Sequence, residues 1–483
     1  MKINNYENTV SYLYKYCLCK YSFFTAGRPV FFLVRYRFAN CILPRQRNGT
    51  ALQGKPGDPV GPWYESALPP RYAFCMRDVS HQSLPAEILG MSAANKNMFT
   101  LFAKNISASK DWCSYWEINK WGKPAPADYR NDTAFWYNLP ANFDILNACW
   151  NLYLWTGDKD YISDGAFKNF YSKSANEYIE SWVLQPDSLL TRPAHPNAGS
   201  SFDINDDFHR CRGLSSYSEG VKDMKVGIDL VAALYRGLLS YAEILKINGK
   251  TAEAKQIELK AVPYQQHIDK YWWDKSASRY NTFYSNSGAF GKNEGETFLL
   301  WFDALNDSAR KRKTIEHILT EKWNVENMSY FPYLFYKNGY WDEAVHYMLL
   351  LTDPATERRE YPEVSYGVIL GFTNGLMGIQ PDARFNRVQT IYKTNIIKTA
   401  SIKNVPLLGT LISVTHSLKK TEFSNKGKQA VTWRAAFYGS HEKIMVDGKE
   451  QKATIEKDEA AKPVSYVDVK VSTGKTVTAS IEK

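Results

Sequence analysis

The sequence lacks any apolar run that reaches the roughly 20 residues of a membrane-spanning helix. It also lacks the CxxC…CxxC and HExxH patterns of zinc sites, because its seven cysteines are widely spread and odd in number. No dense stripe of lysine and arginine interleaved with aromatic residues accompanies the net charge of +10. We therefore expect no membrane-spanning segment, no metal or cofactor, no nucleic-acid partner, and cysteines that are buried free thiols. The oligomeric state stays open.

The first 60 residues lack the order of a signal peptide. Apolar patches such as residues 31–34 occur there, but arginines interrupt them. We treat residues 1–60 as an N-terminal segment of uncertain structure. A periplasmic or secreted location is expected, with a cytoplasmic one as the alternative.

Helical periodicity dominates residues 61–385. Several amphipathic segments pair across short connections, such as Phe143–Trp155 with Gly165–Trp182 and Val226–Ile247 with Ala252–Trp273. Further helical segments are Pro85–Ile106, Glu294–Phe302, Ser308–Leu319, Met328–Phe335, Trp341–Leu351 and Val364–Met377. Repeated hairpins of this kind can close into a double ring with a cleft at one end, whereas a solenoid would show a fixed period, which is absent. We therefore predict that residues 61–385 form a mainly α domain, large enough to be a catalytic domain, in which the hairpins close into a double ring.

The pattern changes after Pro381. Alternating β-type segments follow, among them Ala430–Phe437 and Val464–Val471, and Asp447-Gly448 is typical of a hairpin turn. Residues 386–483 are therefore predicted to form a small β-sandwich or β-sheet domain.

Aromatic residues are abundant, since 14 Trp, 32 Tyr and 24 Phe make up 14% of the chain. Aromatic faces stack on the apolar faces of sugar rings, which favours a carbohydrate partner, although large helical cores also use aromatics as bulk. Two aromatic clusters near turn signals contain Trp116 and, further on, Trp136 with Asn138. They are candidates for a sugar-binding wall, and packing between helices is the alternative.

Two groups of acidic residues are candidates for acid–base catalysis. Glu360 and Glu363 flank Pro362 at the start of an apolar helix, where a helix start alone would also favour an acid. Two carboxyl groups, one acid and one base, are what hydrolysis of a glycosidic bond requires.

The second acidic group is a loop with three aspartates between Phe202 and Phe208. Burial of such a cluster would raise the pKa of one carboxyl group, as a general acid needs. The candidates are Asp203, Asp206 and Asp207, and a solvated acidic loop is the alternative. The spacing does not fit a calcium-binding EF-hand, because the glycine at position six and the glutamate at position twelve are missing.

Arg77 and Asp78 precede the first strong helix. Both can bind sugar hydroxyls through charge-assisted hydrogen bonds. A helix cap by Asp78 with Arg77 as its ion-pair partner is the alternative.

A family resemblance accompanies these residues. Glu360-Tyr361-Pro362 with Thr373-Asn374-Gly375 resembles a signature of trehalases, in which a glutamate before Tyr-Pro is the general base. The segment from Met224 to Tyr241 is similar to an inner helix of trehalases and related glucosidases. The Arg77-Asp78 segment is similar in placement to their arginine-bearing substrate loop. Mannosylglycerate-hydrolase-like proteins belong to the same six-hairpin glycosidase clan.

The resemblance covers roughly residues 60–385 and implies an (α/α)6 toroid with inverting chemistry. It implies that Asp203, 26 residues before Asp229, is the general acid. Spacing to Thr373 favours Glu363 as the base, whereas the local motif favours Glu360. The glycine run before the trehalase glutamate is absent, so trehalase specificity is not implied.

The function expected from these observations is hydrolysis of a terminal sugar from an oligosaccharide or polysaccharide fragment. A polysaccharide lyase or sugar epimerase on the same toroid is the alternative, with His81, His195 or His209 as the base. A carbohydrate-binding protein without catalysis is a third possibility.

Overall fold

The structure is a computed structural model that describes residues 57–66, 71–193, 212–218, 220–221 and 223–482. The helical part consists of hairpins in which one helix faces inward and the next outward. The helices are α1 Met76–Ile88, α2 Ser92–Lys104, α3 Ala141–Thr156, α4 Gly165–Lys173, α5 Ile228–Ile247, α6 Thr251–His267, α7 Glu296–Trp301, α8 Ser308–Thr320, α9 Val325–Lys337, α10 Trp341–Thr352 and α11 Pro362–Leu370. Two short helices, Asp160–Ser163 and Ile179–Ser181, flank α4.

The six odd-numbered helices form a closed inner ring. Each packs against the next, α1 on α3, α3 on α5, α5 on α7, α7 on α9 and α9 on α11, and α11 returns to α1. The even-numbered helices lie outside this ring. The predicted (α/α)6 toroid is therefore confirmed.

Local sequence explains most helix boundaries. Helix α3 ends at Gly157, whose φ of 74° is the left-handed conformation that glycine adopts easily at a helix C-terminus. Asp307 and Asn324 cap α8 and α9 by accepting hydrogen bonds from backbone N–H groups of the first turn. Several boundaries differ from the sequence prediction. The helical pattern in Pro85–Ile106 belongs to two helices, because α1 already begins at Met76 and the chain reverses at Gly90, where φ is 81°. Helix α9 begins at Val325, three residues before the predicted start at Met328.

Three π-helical turns extend predicted helices. They cover Ser174–Tyr178, Ile268–Trp272 and Gly371–Leu376 and continue from α4, α6 and α11. The long sequence patterns Gly165–Trp182, Ala252–Trp273 and Val364–Met377 are therefore each helical over most of their length.

Short strands lead into the inner helices. Strand β1 (Ala73–Cys75) runs into α1 and pairs with β2 (Glu117–Asn119). A hairpin follows with β3 (Tyr129–Asn131) and β4 (Ala134–Phe135). Strand β5 (Met224–Gly227) runs into α5. The remaining short strands are β6 Trp273–Asp274, β7 Arg279–Tyr280, β8 Phe283–Ser285 and β9 Phe290–Gly291.

Residues from Gln380 onward form two packed sheets. The strands are β10 Gln380–Asp382, β11 Arg387–Ile391, β12 Thr399–Leu407, β13 Thr410–Ser417, β14 Lys420–Asn425, β15 Val431–Tyr438, β16 Lys443–Val446, β17 Lys449–Lys452, β18 Thr454–Lys457, β19 Pro463–Val471 and β20 Thr476–Ser480. One sheet has the order β10-β11-β15-β19-β18 and the other β12-β13-β14-β20-β16-β17. The rings of Phe423 and Trp433, one from each sheet, stack at 5.1 Å. Asp447-Gly448 joins β16 to β17 as predicted. The predicted C-terminal β-sheet architecture is confirmed.

The toroid and the sandwich share one hydrophobic core. The Trp155 indole at the end of α3 donates to the Pro406 carbonyl at 2.8 Å, and the Leu408 N–H donates to the Trp155 carbonyl at 2.9 Å. Cys75, Cys113 and Cys149 are buried free thiols, as predicted for them. Within the described ranges, no helix combines the length and the apolar character needed to cross a bilayer.

Candidate active site

Every inner helix carries an acidic residue in its first turn. These residues, in chain order, are Asp78, Asp144, Asp229, Glu296, Glu326 and Glu363. Carboxylates are stabilised there by the positive end of the helix dipole. Because the N-termini of the inner helices meet at one end of the ring, the fold collects acidic groups that are far apart in sequence.

Three of these acids, Asp78, Glu326 and Glu363, line a cleft at this end of the ring. The other side chains around the cleft are mainly aromatic or apolar. They include His81, Pro85, Tyr217, Trp301, Tyr330, Tyr366 and Leu370. A concave site with aromatic walls and a few convergent polar groups is typical of a small-molecule site.

Glu363 enters the cleft because α11 begins at Pro362. Proline suits the first helical position, and Glu363 follows it directly. The Oε2 atom of Glu363 is buried and has no hydrogen-bond partner among the described residues. Burial, followed by the charge of Asp78, raises the pKa of Glu363 well above its usual value. Glu360, the other candidate from the sequence, is exposed and does not line the cleft.

Asp78 and Glu326 supply the other two carboxyl groups. Burial, followed by the charge of Glu326, raises the pKa of Asp78 to about 7. Glu326 accepts hydrogen bonds from the Arg358 guanidinium at 2.8 Å and from the Tyr217 hydroxyl at 3.2 Å. The cleft therefore combines two carboxyl groups that hold their protons strongly with a third that is ion-paired.

Arg77 lies beneath the cleft rather than in its lining. Its guanidinium is 3.2 Å from Asp229 and 3.4 Å from Asp144, and its exposed fraction is 1%. The rings of Tyr217 and Phe298 lie 4.5 and 4.4 Å from the guanidinium carbon. In the structure Arg77 ties α1 to α3 and α5.

The three other predicted binding residues are buried with protein partners. Trp116 packs edge-to-face on Trp136 with ring centroids 4.5 Å apart. The Asn138 amide donates to the Ser216 carbonyl at 3.0 Å. None of the three is among the residues that line the cleft. Their contact with a sugar stays a prediction.

Asp203, Asp206 and Asp207 lie outside the described residues, as do His195 and His209. Glu326, by contrast, is a cleft residue that the sequence argument missed. A signal was present, because Asn324 is a strong N-cap residue and an acid follows two positions later, before an apolar run.

Comparison with known proteins identifies the fold. No family model and no curated protein matches the sequence. Among solved structures, the chain is similar to an α-L-rhamnosidase from Dictyoglumus thermophilum, with a TM-score of 0.54 and 13% identity over 84% of this chain and 46% of that one. It is also similar to a candidate kojibiose phosphorylase from the human microbiome, with a TM-score of 0.50 and 10% identity over 83% of this chain and 61% of the other. The chain thus spans about half and about three fifths of those two proteins. These likenesses show that the chain shares the six-hairpin toroid fold of these two proteins.

Proposed function

We propose that this protein hydrolyses glycosidic bonds by general acid–base catalysis in the cleft at the N-terminal end of the inner helices. The observation that carries this proposal is the meeting of Asp78, Glu326 and Glu363 in one aromatic-walled cleft. Glycoside hydrolysis typically uses one protonated carboxyl group as the acid and one ionised carboxyl group as the base or nucleophile. The fold shared with an α-L-rhamnosidase supports the same class of reaction.

The raised pKa of Glu363 makes it the proton donor in this proposal. A carboxyl group that keeps its proton near neutral pH can transfer it to the leaving oxygen as the bond to the anomeric carbon breaks. Glu326, bound by Arg358 and Tyr217, takes the proton from the attacking water. In the sequence resemblance, spacing to Thr373 favours Glu363 for the opposite role, that of base, while the local motif favours Glu360, so the experiment must distinguish the roles.

The substrate in this proposal is an uncharged terminal sugar. Three carboxyl groups face the ligand, so an anionic sugar would add like charge in a site where charges are poorly hydrated. The aromatic side chains of Tyr217, Trp301 and Tyr366 line the cleft, and aromatic surface favours a pyranose. An oligosaccharide with a neutral non-reducing end is therefore the proposed substrate class.

Glu363→Gln tests the proposal, with Glu360→Gln as a matched control three residues away. On a panel of oligosaccharides and aryl glycosides, with product anomers read by proton NMR, we expect Glu360→Gln to keep wild-type turnover. Glu363→Gln should lose at least about a hundredfold on poor leaving groups, the usual contribution of a general acid. It should lose much less on 2,4-dinitrophenyl glycosides, whose leaving group needs no proton.

The outcomes separate the roles. Equal loss on all leaving groups would make Glu363 the base, as its spacing to Thr373 favours, and would move the acid role to Asp78, Asp203, Asp206 or Asp207. Asp203→Asn belongs in the same panel for that reason. Full turnover in Glu363→Gln, in Glu326→Gln and in Asp203→Asn would overturn the proposed function.

A lyase or epimerase is the second candidate, because His81 lines the cleft beside Tyr330. Eliminating enzymes use such residues to remove a proton next to a carbonyl group. Incubation with uronic-acid polysaccharides distinguishes the two reactions, since elimination gives an unsaturated product that absorbs in the ultraviolet and hydrolysis does not.

A further inference from the structure

A chain of three side chains reaches from the core into the cleft. Asp144, fully buried and 3.4 Å from the Arg77 guanidinium, lies 3.3 Å from Nε2 of His81. Nδ1 of His81 is hydrogen-bonded to the Tyr330 hydroxyl. His81 and Tyr330 both line the cleft, so the chain ends where a ligand would lie.

The direction of these hydrogen bonds follows from the chemistry of the first group. A carboxylate ion has only acceptor atoms, so His81 must carry its proton on Nε2 and donate it to Asp144. Burial lowers the pKa of His81, which agrees with a neutral ring. The Nδ1 atom of a neutral ring in this tautomer is an acceptor, and the Tyr330 O–H must donate to it. The Tyr330 oxygen then has lone pairs, and no proton, to offer the cleft.

Packing fixes this orientation. The Trp301 ring contacts Tyr330 edge-to-face at 5.0 Å and lies 5.3 Å from the His81 ring. Phe298 contacts both rings from another side, at 5.4 and 5.9 Å. Held in this way, the Tyr330 oxygen is a preorganised acceptor, which saves a ligand the cost of ordering it.

We propose that Tyr330 accepts a hydrogen bond from one hydroxyl group of the substrate sugar, with His81 and Asp144 as positioning residues. The proposal rests on the proposed function only in taking the ligand to be a carbohydrate. Since Tyr330 has no proton to donate, the site selects a hydroxyl at that sugar position. It disfavours a deoxy sugar, or an ether or fluorine that cannot donate.

The hydrogen-bond chain can be tested without any substrate. In the full-length protein with ¹⁵N-labelled histidine, assigned with His81→Gln, we expect His81 to show a protonated Nε2 and an unprotonated, hydrogen-bonded Nδ1. Tyr330→Phe should shift the Nδ1 resonance, whereas Tyr333→Phe should not, because Nδ1 is bonded to the hydroxyl of Tyr330 and not to that of Tyr333 on the same helix. A proton on Nδ1, or no shift in Tyr330→Phe, would overturn the proposal.

The sugar contact is tested with a series of monodeoxy glycosides. Tyr330→Phe should lower kcat/KM about tenfold on the parent glycoside, the effect of one neutral hydrogen bond. For the glycoside that lacks the hydroxyl bound by Tyr330, wild type and Tyr330→Phe should have equal kcat/KM, which identifies that hydroxyl. Tyr333→Phe should have the kcat/KM of wild type on every glycoside in the series. If the loss in kcat/KM from Tyr330→Phe and the loss from removing a hydroxyl add up at every sugar position, the proposed contact is wrong. If no glycoside is turned over, the same comparison is made on calorimetric affinities. If His81 shows the expected tautomer but the protein binds no glycoside, the hydrogen-bond chain is correct, and both the proposed function and the proposed sugar contact are wrong.

Discussion

At the scale of single residues, the cleft holds its carboxyl groups where ionisation is unfavourable. Asp78 and Glu363 share a poorly hydrated space with Glu326, and each ionised group raises the pKa of the next. A stable core would not collect such groups. At the helix starts the helix dipole offsets part of the free-energy cost of burying these carboxyl groups. Buried carboxyl groups with raised pKa values are typical of functional sites, where they lower the stability of the fold.

Asp78→Asn should stabilise the protein at neutral pH. The unfolded chain releases the Asp78 proton at pH about 4, whereas the folded protein keeps it up to about 7, so folding stability falls as pH rises through this interval. The amide removes that loss. We expect a gain on the order of 4 kcal/mol in unfolding free energy at pH 8, measured by urea denaturation, that disappears below pH about 4.

Asp342→Asn is the control for this measurement, because Asp342 is an exposed acid in the first turn of the outer helix α10. It should lose a few tenths of a kcal/mol at neutral pH through the weaker helix-dipole interaction, with no gain at any pH. A pH-independent effect of Asp78→Asn would contradict the raised pKa.

At the scale of elements, Arg77 holds three inner helices together. It stands in the first turn of α1 and meets Asp144 of α3 and Asp229 of α5. Asp229 also accepts from the Ser216 hydroxyl at 2.6 Å and the Tyr217 N–H at 2.7 Å, which fixes the loop that carries Tyr217 into the cleft. The buried Arg77 guanidinium thus fixes the relative positions of α1, α3 and α5 and of the loop that carries Tyr217, beneath the cleft.

Arg77→Met should therefore destabilise the fold as well as the site. The two buried carboxylates would lose their cation, and breaking a buried ion pair costs about 3–5 kcal/mol. The control is Arg236→Met on α5, whose ion pair with Asp303 at 2.8 Å is partly exposed and should contribute less than about 1 kcal/mol. Urea denaturation at pH 7 compares the two. A smaller loss for Arg77→Met than for Arg236→Met would contradict the bracing role.

At the scale of the whole molecule, the toroid and the sandwich form one packed body. Besides the contacts of Trp155, the buried His416 of the sandwich is hydrogen-bonded at 3.1 Å to the Met377 carbonyl of the last helical turn. Hydrophobic side chains from both parts belong to one continuous core. Neither part can lose its structure without exposing apolar surface of the other.

The full chain is therefore expected to unfold in one cooperative transition. Fluorotryptophan resonances of Trp272 in the toroid and Trp433 in the sandwich, each assigned by substitution with phenylalanine, report the two parts separately. Both should disappear at the same urea concentration. Two separate midpoints would show that the sandwich folds independently of the toroid.

Architecture could be read from the sequence because it depends on local periodicity. Apolar residues at helical spacing located ten helical segments, which overlap all eleven numbered helices, and alternation with turn residues such as Asp447-Gly448 located the sandwich. Helix α3 could be bounded almost to the residue, since Gly157 marks its end. The reversal at Gly90 was missed because apolar spacing continues through it, and a single glycine does not show that the chain turns back.

The sequence by itself determined the class of fold, an apolar helix just after Pro362 (predicted from Val364) and the two candidates Glu360 and Glu363. Only the tertiary structure decided that Glu363 faces the cleft, that Glu326 joins it and that Arg77 lies in the floor. The reason is that closing the ring brings together helix starts 37 to 285 residues apart, from Glu326 to Glu363 and from Asp78 to Glu363. Burial and mutual charge, which set the pKa of each carboxyl group, exist only once that ring is closed.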